Sequence, residues 1–474
     1  MADLEIDILT PQSGSVVAPA GCGKTQLIAD SLRAMESGRP ALVLTHTNAG
    51  RAALEQRLRR AKVPATAFRV ATLDSWAIRL GQRFPARTGL ASKVLRVERA
   101  SSDYPAIRKA TVKLLQAKHL DAPLQATYSR VLIDEYQDCD MDQHALVVAL
   151  SRVLPVTVLG DPLQAIFDFS GPTVKWKTDV LPAFPSLGRL ATPWRWRNAK
   201  APDLGAWLFD VRESLVKRVP IDLAKAPEDV VWVQLSNNEP EAHMQRMKAA
   251  QFKAPGTKGS VVIIVDSANK RAQLDTAIRT PGALMVEALE LKDFIEFARG
   301  FDPAHSASLD QLVGFASEMM TGLSAAQLLK RVASHSNKRS KTEATPIETA
   351  ALAFSNKRDF ASAARTLNDF RTAADVRIFR PEVFRLCVNA LESAHRGGTF
   401  LEEAIRARER NRHLPRSVPR RAVGSTLLLK GLEADVAVVL DPHKLNRRHL
   451  YVAMTRGSKK LVICSPTAVL TPKD

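Results

Sequence analysis

Ala18-Pro19-Ala20-Gly21-Cys22-Gly23-Lys24-Thr25 lies between a short apolar run, Ser15-Val16-Val17, and a helical pattern from Gln26 to Met35. A glycine-containing loop ending in Lys-Thr, entered from a strand and left into a helix, is a phosphate-binding loop. It constrains the fold strongly, because it demands a βα unit whose strand points its carboxyl end at the ligand. Similar apolar runs recur at Ala41 to Thr45, Phe68 to Thr72, Ser129 to Asp134 and Val156 to Asp161, with helical patterns such as Ala49 to Arg60 between them. Short buried strands alternating with helices predict an α/β fold with a parallel sheet.

A second set of strands is expected at Val230 to Leu235 and Val261 to Val265. It resumes at Ser425 to Leu429, Asp435 to Leu440 and Leu461 to Cys464. The intervening stretch, about 300 to 400, has helical patterns at Ser324 to Ala333, Ile347 to Phe354 and Pro381 to Ala394, and reads as a helical insertion. A shorter helical insertion is expected at about 77–127. The expected organisation is therefore a first α/β domain over 1–190 and a second over 191–299 and 401–474, with 300–400 inserted in it.

The chain has 474 residues, 45% hydrophobic and 25% charged, as in ordinary globular proteins. No apolar run approaches the roughly 20 residues that span a bilayer, and the acidic start Met1-Ala2-Asp3-Leu4-Glu5 lacks a signal-peptide plan. The lack of such a run argues against a membrane partner, and Cys22, Cys139, Cys387 and Cys464 form no CxxC pair, which fits a reduced cytoplasmic protein without structural zinc. The net charge of +19 favours a polyanionic partner. Seven arginines lie between Arg406 and Arg421, a run that reads either as a solvated face or as a nucleic-acid contact.

Gly21 and Gly23 would let backbone amides approach phosphate oxygens, with Ala18 in place of the usual first glycine. Lys24 would neutralise the β- and γ-phosphates of ATP, and Thr25 would hold Mg2+. Val131-Leu132-Ile133-Asp134-Glu135 is an apolar strand ending in an acidic pair. There Asp134 would bind the metal and Glu135 would act as general base toward water. Tyr451 to Arg456, far along the chain, would deliver an arginine to the nucleotide.

Asp134-Glu135-Tyr136-Gln137-Asp138 is similar to the DEFQD-type box of UvrD/Rep-like superfamily 1A helicases. Further segments resemble that family in order: Leu44 to Ala49 (motif Ia), Thr72 to Trp76 (the TFHSF segment), Gly160 to Phe167 (motif III) and Pro193-Trp194-Arg195 (motif IV). Glu290 to Asp293 resembles the EIKD element, Thr426 to Glu433 motif V and Tyr451 to Arg456 motif VI. The resemblance implies two RecA-like parallel-sheet domains, 1A and 2A, with small 1B-like and 2B-like helical insertions. It assigns a catalytic set of Glu135, Gln164, Arg195 and Arg456. It places nucleotide contacts at Ala18, Gly21, Cys22, Gly23, Lys24, Thr25, Gln26, Trp194 and Glu433, with Trp194 stacking on adenine. DNA contacts are implied at Thr45, Thr47, Asn48, Ser75, Trp76, Phe167, Phe169 and Thr426, Trp76 being equally suited to the core.

The chain departs from the pattern mainly where the family faces DNA. Asp74 stands for a histidine, Ser170 for an arginine and Leu428-Leu429 for a His-Ser pair, while Gln26 replaces an arginine at the adenine. An aspartate near phosphates is unfavourable unless turned away. The resulting expectation is a DNA-dependent ATPase, a compact helicase or translocase on single-stranded or partly duplex DNA, moving 3′ to 5′ by family habit. The alternative is a nucleotide- and DNA-sensing subunit of a nuclease or antiviral defence complex, similar in plan to the Gabija helicase-like subunit.

Overall fold

The structure is a computed structural model and describes residues 5–35, 38–167, 171–266, 268–412 and 419–473. The chain forms two compact units. One comprises Met1–Val230, Leu445–Lys460 and Val469–Asp474; the other comprises Val231–Lys444 and Leu461–Ala468.

In the first unit the strands are β1 (Ser13–Val17), β2 (Ala41–Thr45), β3 (Phe68–Thr72), β4 (Val131–Ile133), β5 (Val156–Gly160) and β6 (Ser186–Arg189). They form one sheet in the order β3-β2-β4-β5-β1-β6, parallel at every pairing. Strands β2 and β5 are buried at every position, as expected when helices cover both faces. Two apolar clusters include residues of this sheet. One is built on Ile28, Leu32, Val43 and Leu132, the other on Leu44, Trp76, Ile133 and Leu146. The insertion at 77–127 is helical, with Ala100–Gln116 as its long helix.

The remaining strands are β7 (Ile221–Asp222), β8 (Val230–Gln234), β9 (Val261–Ile264), β10 (Leu284–Met285), β11 (Arg421–Gly424), β12 (Ala434–Val439), β13 (Gly457–Ser465) and β14 (Val469–Leu470). A second six-stranded sheet has the order β10-β11-β9-β12-β13-β8, while β7 and β14 pair antiparallel in the first unit. The α/β class with two parallel sheets is thus borne out. The strand expected at Ser425 to Leu429 is not: β11 ends at Gly424, and Thr426–Leu429 is a short helix. Ser425 adopts extended backbone and its hydroxyl accepts from the Leu428 amide at 3.4 Å, capping a helix that the apolar run Leu427 to Leu429 had disguised as a strand.

From Leu291 onward the second unit carries a helical subdomain. Its core is aromatic, with Phe297 stacked on Phe315 at 4.1 Å and Phe294, Phe301 and Phe400 around them. Arg380, with no exposed surface, fixes this subdomain to the β10 end of the sheet. It makes two bonds to Glu287 at 2.7 and 2.8 Å and a third to Asp293 at 2.6 Å. Burial alone would raise the Asp293 carboxyl, but Arg380 and Lys270 outweigh it and hold the group down to about 2. A depressed carboxyl contributes stability above its unfolded value near 4, and loses that contribution as pH falls through 2. Asp293→Asn is therefore expected to cost about 2 kcal/mol near pH 6. In denaturant unfolding at a series of pH values, its difference from wild type should shrink toward pH 2.

No helix among the described residues is long and apolar enough to cross a membrane.

Candidate nucleotide site

Strand β1 feeds the loop directly: the Ala18 amide donates to the Gly160 carbonyl at 2.8 Å, tying the loop to the end of β5. Gly21 and Gly23 have φ of 74° and 80°, left-handed values that glycine adopts without strain. Gly23 caps the helix Lys24–Ala34, and among the described residues no side-chain cap bond closes that helix start. The first helical amides are thus left to an anion, which is the cradle that phosphate requires.

Two aromatic side chains distant in sequence support the loop from below. A Cβ at Gly21 would lie 2.6 Å from the Trp196 ring, and the Gly21 carbonyl accepts from the Arg195 amide at 3.0 Å. Trp196 is 1% exposed and its indole donates to the Gly457 carbonyl at 2.9 Å. The buried Tyr451 hydroxyl accepts from the Ala20 amide at 3.1 Å. The segment Trp194–Asn198 and the helix Arg447–Met454 therefore both buttress the loop within the first unit. Trp196→Ala should cost about 3–5 kcal/mol of stability in thermal or chemical unfolding.

Lys24 forms ion pairs with Asp134 (2.9 Å) and Glu135 (2.7 Å). Burial would pull the Lys24 ammonium down, but the two carboxylates overcome it and raise it. Asp134 is raised, chiefly by burial, with Lys24 opposing that shift. Glu135 sits at φ 57°, an unusual conformation for a residue with a side chain. A polar chain then runs onward. Gln137 donates to Glu135 at 2.6 Å and accepts from the Asp161 amide at 3.0 Å; Gln164 donates to the Asp161 carboxylate at 3.1 Å. Arg456 reaches the Gln164 side-chain oxygen at 3.5 Å, the edge of hydrogen-bonding range, and Arg212 pairs with Asp161 at 3.0 Å. Arg195 donates to the Thr455 carbonyl at 2.5 Å. Gln137 and Asp161 lie inside the quoted motifs and were within reach of sequence reasoning; Arg212 had no local signal.

The structure thus brings Lys24, Asp134, Glu135, Gln164, Arg195 and Arg456 into one linked cluster. The Thr25 hydroxyl, next to Lys24, and the Asp134 carboxylate are an oxygen donor set suited to Mg2+. Cys22 is buried, and burial together with Asp161 pushes its thiol up to about 12, which disfavours the thiolate. Trp194 is 47% exposed, with the Arg197 guanidinium 6.0 Å from its ring. Gln26 is exposed and donates to Asp30 at 2.9 Å. Glu433 lies exposed before β12 in the second unit.

The expected strand-binding residues are a mixed set. Asn48 is exposed, and Thr47 caps its helix through the Gly50 amide at 3.0 Å. Thr45 and Thr426 are 1% exposed. Ser75 is engaged with Thr72 in a reciprocal capping box. Trp76, at 3% exposure, belongs to the apolar core, so the stacking role does not hold for it: its ring packs inward from the helix Leu73–Arg83. Phe167 stacks on His46 with centroids 6.3 Å apart. Phe169 and Ser170, like most of the stretch after Arg412, lie outside the described residues.

A phosphate loop, an acidic strand end and converging arginines on a parallel sheet define a P-loop nucleotide-binding protein. Residues 91–181 match the family model of the UvrD/REP helicase N-terminal domain. That segment contains Asp134, Glu135 and Gln164, and the match bears out the resemblance to UvrD-like superfamily 1 helicases. No curated protein matches the chain in sequence. Among solved structures, the Pif1 helicase from Candida albicans is 11% identical, with 95% of this chain and 91% of that one covered and a TM-score of 0.39. The arterivirus nonstructural protein 10 helicase, solved in complex with DNA, is 14% identical with a TM-score of 0.29. There 54% of this chain is covered, and the chain spans 48% of that protein. No residue role is carried over from either likeness.

Proposed function

We propose that the protein is a DNA-dependent ATPase, a UvrD-like helicase or translocase acting on single-stranded DNA. The observation that carries this reading is the cluster in which Lys24 grips both Asp134 and Glu135 beside a glycine cradle, with Gln164 and Arg456 linked to it. Phosphates entering the loop would compete for Lys24 and release Glu135 to polarise the attacking water. Thr25 and Asp134 would hold Mg2+, which would offset phosphate charge. Arg195 and Arg456 would stabilise charge developing on the transferred phosphoryl group, and Gln164 would report its presence. Trp194, exposed beside the loop, would stack on the base.

Thr47, Asn48, Phe167 and the turn around Ser75 would supply strand contacts, and hydrolysis would alternate the grip on the strand. The net charge of +19 suits this partner, and cysteines without a CxxC pair suit a cytoplasmic location. Strand displacement on duplexes with a 3′ or a 5′ single-stranded tail tests the reading. ATP-dependent displacement from the 3′-tailed substrate supports a 3′-to-5′ motor.

A second reading is favoured by one observation: an aspartate, Asp74, stands at the expected strand-binding turn, held in an ion pair with Arg108. A nucleotide- and DNA-sensing subunit of a nuclease or antiviral defence complex would bind both ligands without displacing strands.

A further inference from the structure

Asp74 occupies the first turn of the helix Leu73–Arg83, one residue before Ser75. An uncompensated carboxylate there would repel a phosphodiester held by the same turn. The compensation comes from the insertion. Arg108, on the helix Ala100–Gln116, grips Asp74 with a two-pronged pair, Nε to Oδ1 at 2.6 Å and Nη2 to Oδ2 at 2.8 Å. Its remaining nitrogen pairs with Asp140, which caps the helix Met141–Leu150 through the Gln143 amide at 2.8 Å. Gln143 closes the network by donating to Asp74 at 3.4 Å. Arg108 is 11% exposed and its guanidinium lies 5.8 Å from the Tyr104 ring centroid, so its orientation is fixed on several sides. One side chain thus joins the insertion, the turn carrying Ser75 and the segment that follows the acidic pair.

We infer that Arg108 is a positioning residue for strand binding: shared between Asp74 and Asp140, it offsets the Asp74 charge, turns that carboxylate inward and makes the turn at Ser75 acceptable to a nucleic-acid phosphate. The inference rests on the reading above that this face meets single-stranded DNA. It also accounts for the aspartate, which in this chain works as half of a pair. A guanidinium suits the task because its planar fork matches a carboxylate and stays charged at every working pH.

A bridge that merely held the insertion in place would predict different behaviour from one that manages charge. The test is equilibrium binding of a fluorescent oligothymidylate at fixed salt, with thermal melting recorded for each variant. Arg108→Gln should weaken binding about tenfold, because the bare Asp74 carboxylate then faces the strand. Asp74→Asn should bind as wild type or more tightly. The double variant Arg108→Gln/Asp74→Asn should recover to within about threefold of wild type, although it has lost the bridge altogether. Arg108→Lys, which keeps the charge without the fork, should stay within about threefold. A double variant that binds no better than Arg108→Gln while wild type binds normally would overturn the inference alone. Wild type that fails to bind the oligonucleotide would overturn the functional reading and this inference with it.

Discussion

Glu135→Gln is expected to lower ATP turnover by about 10²–10⁴-fold while leaving nucleotide binding within a few-fold of wild type. The amide keeps the shape of the carboxylate and can still accept from Gln137, which donates to Glu135 at 2.6 Å. It cannot take a proton from water. Lys24 keeps its other partner, Asp134, at 2.9 Å, so the loop should remain formed. Lys24→Ala should behave differently. It removes the phosphate-neutralising charge and takes the Lys24 ammonium away from two neighbouring carboxylates, costing roughly 1–3 kcal/mol of stability. The cost stays below that of a fully buried pair, because the Glu135 side chain is 37% exposed and water can reach it. Asp134 is raised by burial, so its folded form binds the proton more tightly than the unfolded chain does. The Lys24→Ala penalty should therefore be largest at neutral pH and shrink as the solution is acidified. Steady-state phosphate release, binding of a fluorescent nucleotide and melting across pH separate these outcomes. A Glu135→Gln variant with more than a tenth of wild-type turnover would contradict the assignment.

Arg456→Ala is expected to cost about 10³–10⁵ in turnover. The side chain is 3% exposed and already oriented: its Nε donates to the Val452 carbonyl at 2.9 Å and an outer nitrogen to the Thr455 hydroxyl at 3.2 Å. Those bonds hold the guanidinium beside Gln164, so little reorganisation is needed when charge develops on a phosphoryl group. Arg456→Lys should recover only a small part, since an ammonium cannot reproduce the planar fork. The effect should fall on kcat measured at saturating ATP, with nucleotide affinity nearly unchanged. A tight-binding variant with normal kcat would show that Arg456 only braces the helix end.

The parts of the site written in contiguous residues were legible in the sequence. Gly21 and Gly23 must relieve steric crowding where they stand, and Asp134-Glu135 must follow an apolar strand, so local pattern was enough. The supports were not legible. Trp196 under Gly21 and Tyr451 under Ala20 act across 175 and 431 residues, and although Tyr451 opens a quoted motif, local pattern does not say which loop either ring supports. Trp76 could be read as platform or core until burial settled it. Ser425 to Leu429 read as a strand because β-compatible apolar residues followed one another, yet a single capping hydroxyl turned the segment into a helix. Asp74 looked like a liability in isolation. Its partner Arg108 lies 34 residues away on an insertion whose internal packing the sequence did not reveal.

In this reading the Lys24–Asp134–Glu135 cluster is an ATP-hydrolysing site governed by single-stranded DNA. The most direct measurement is ATP turnover by the wild-type chain with Mg2+, titrated with oligothymidylate, beside Glu135→Gln. Wild-type turnover should rise at least about tenfold as the oligonucleotide saturates, and the variant should stay flat throughout. Turnover that is indifferent to DNA, or that survives in Glu135→Gln, would contradict it.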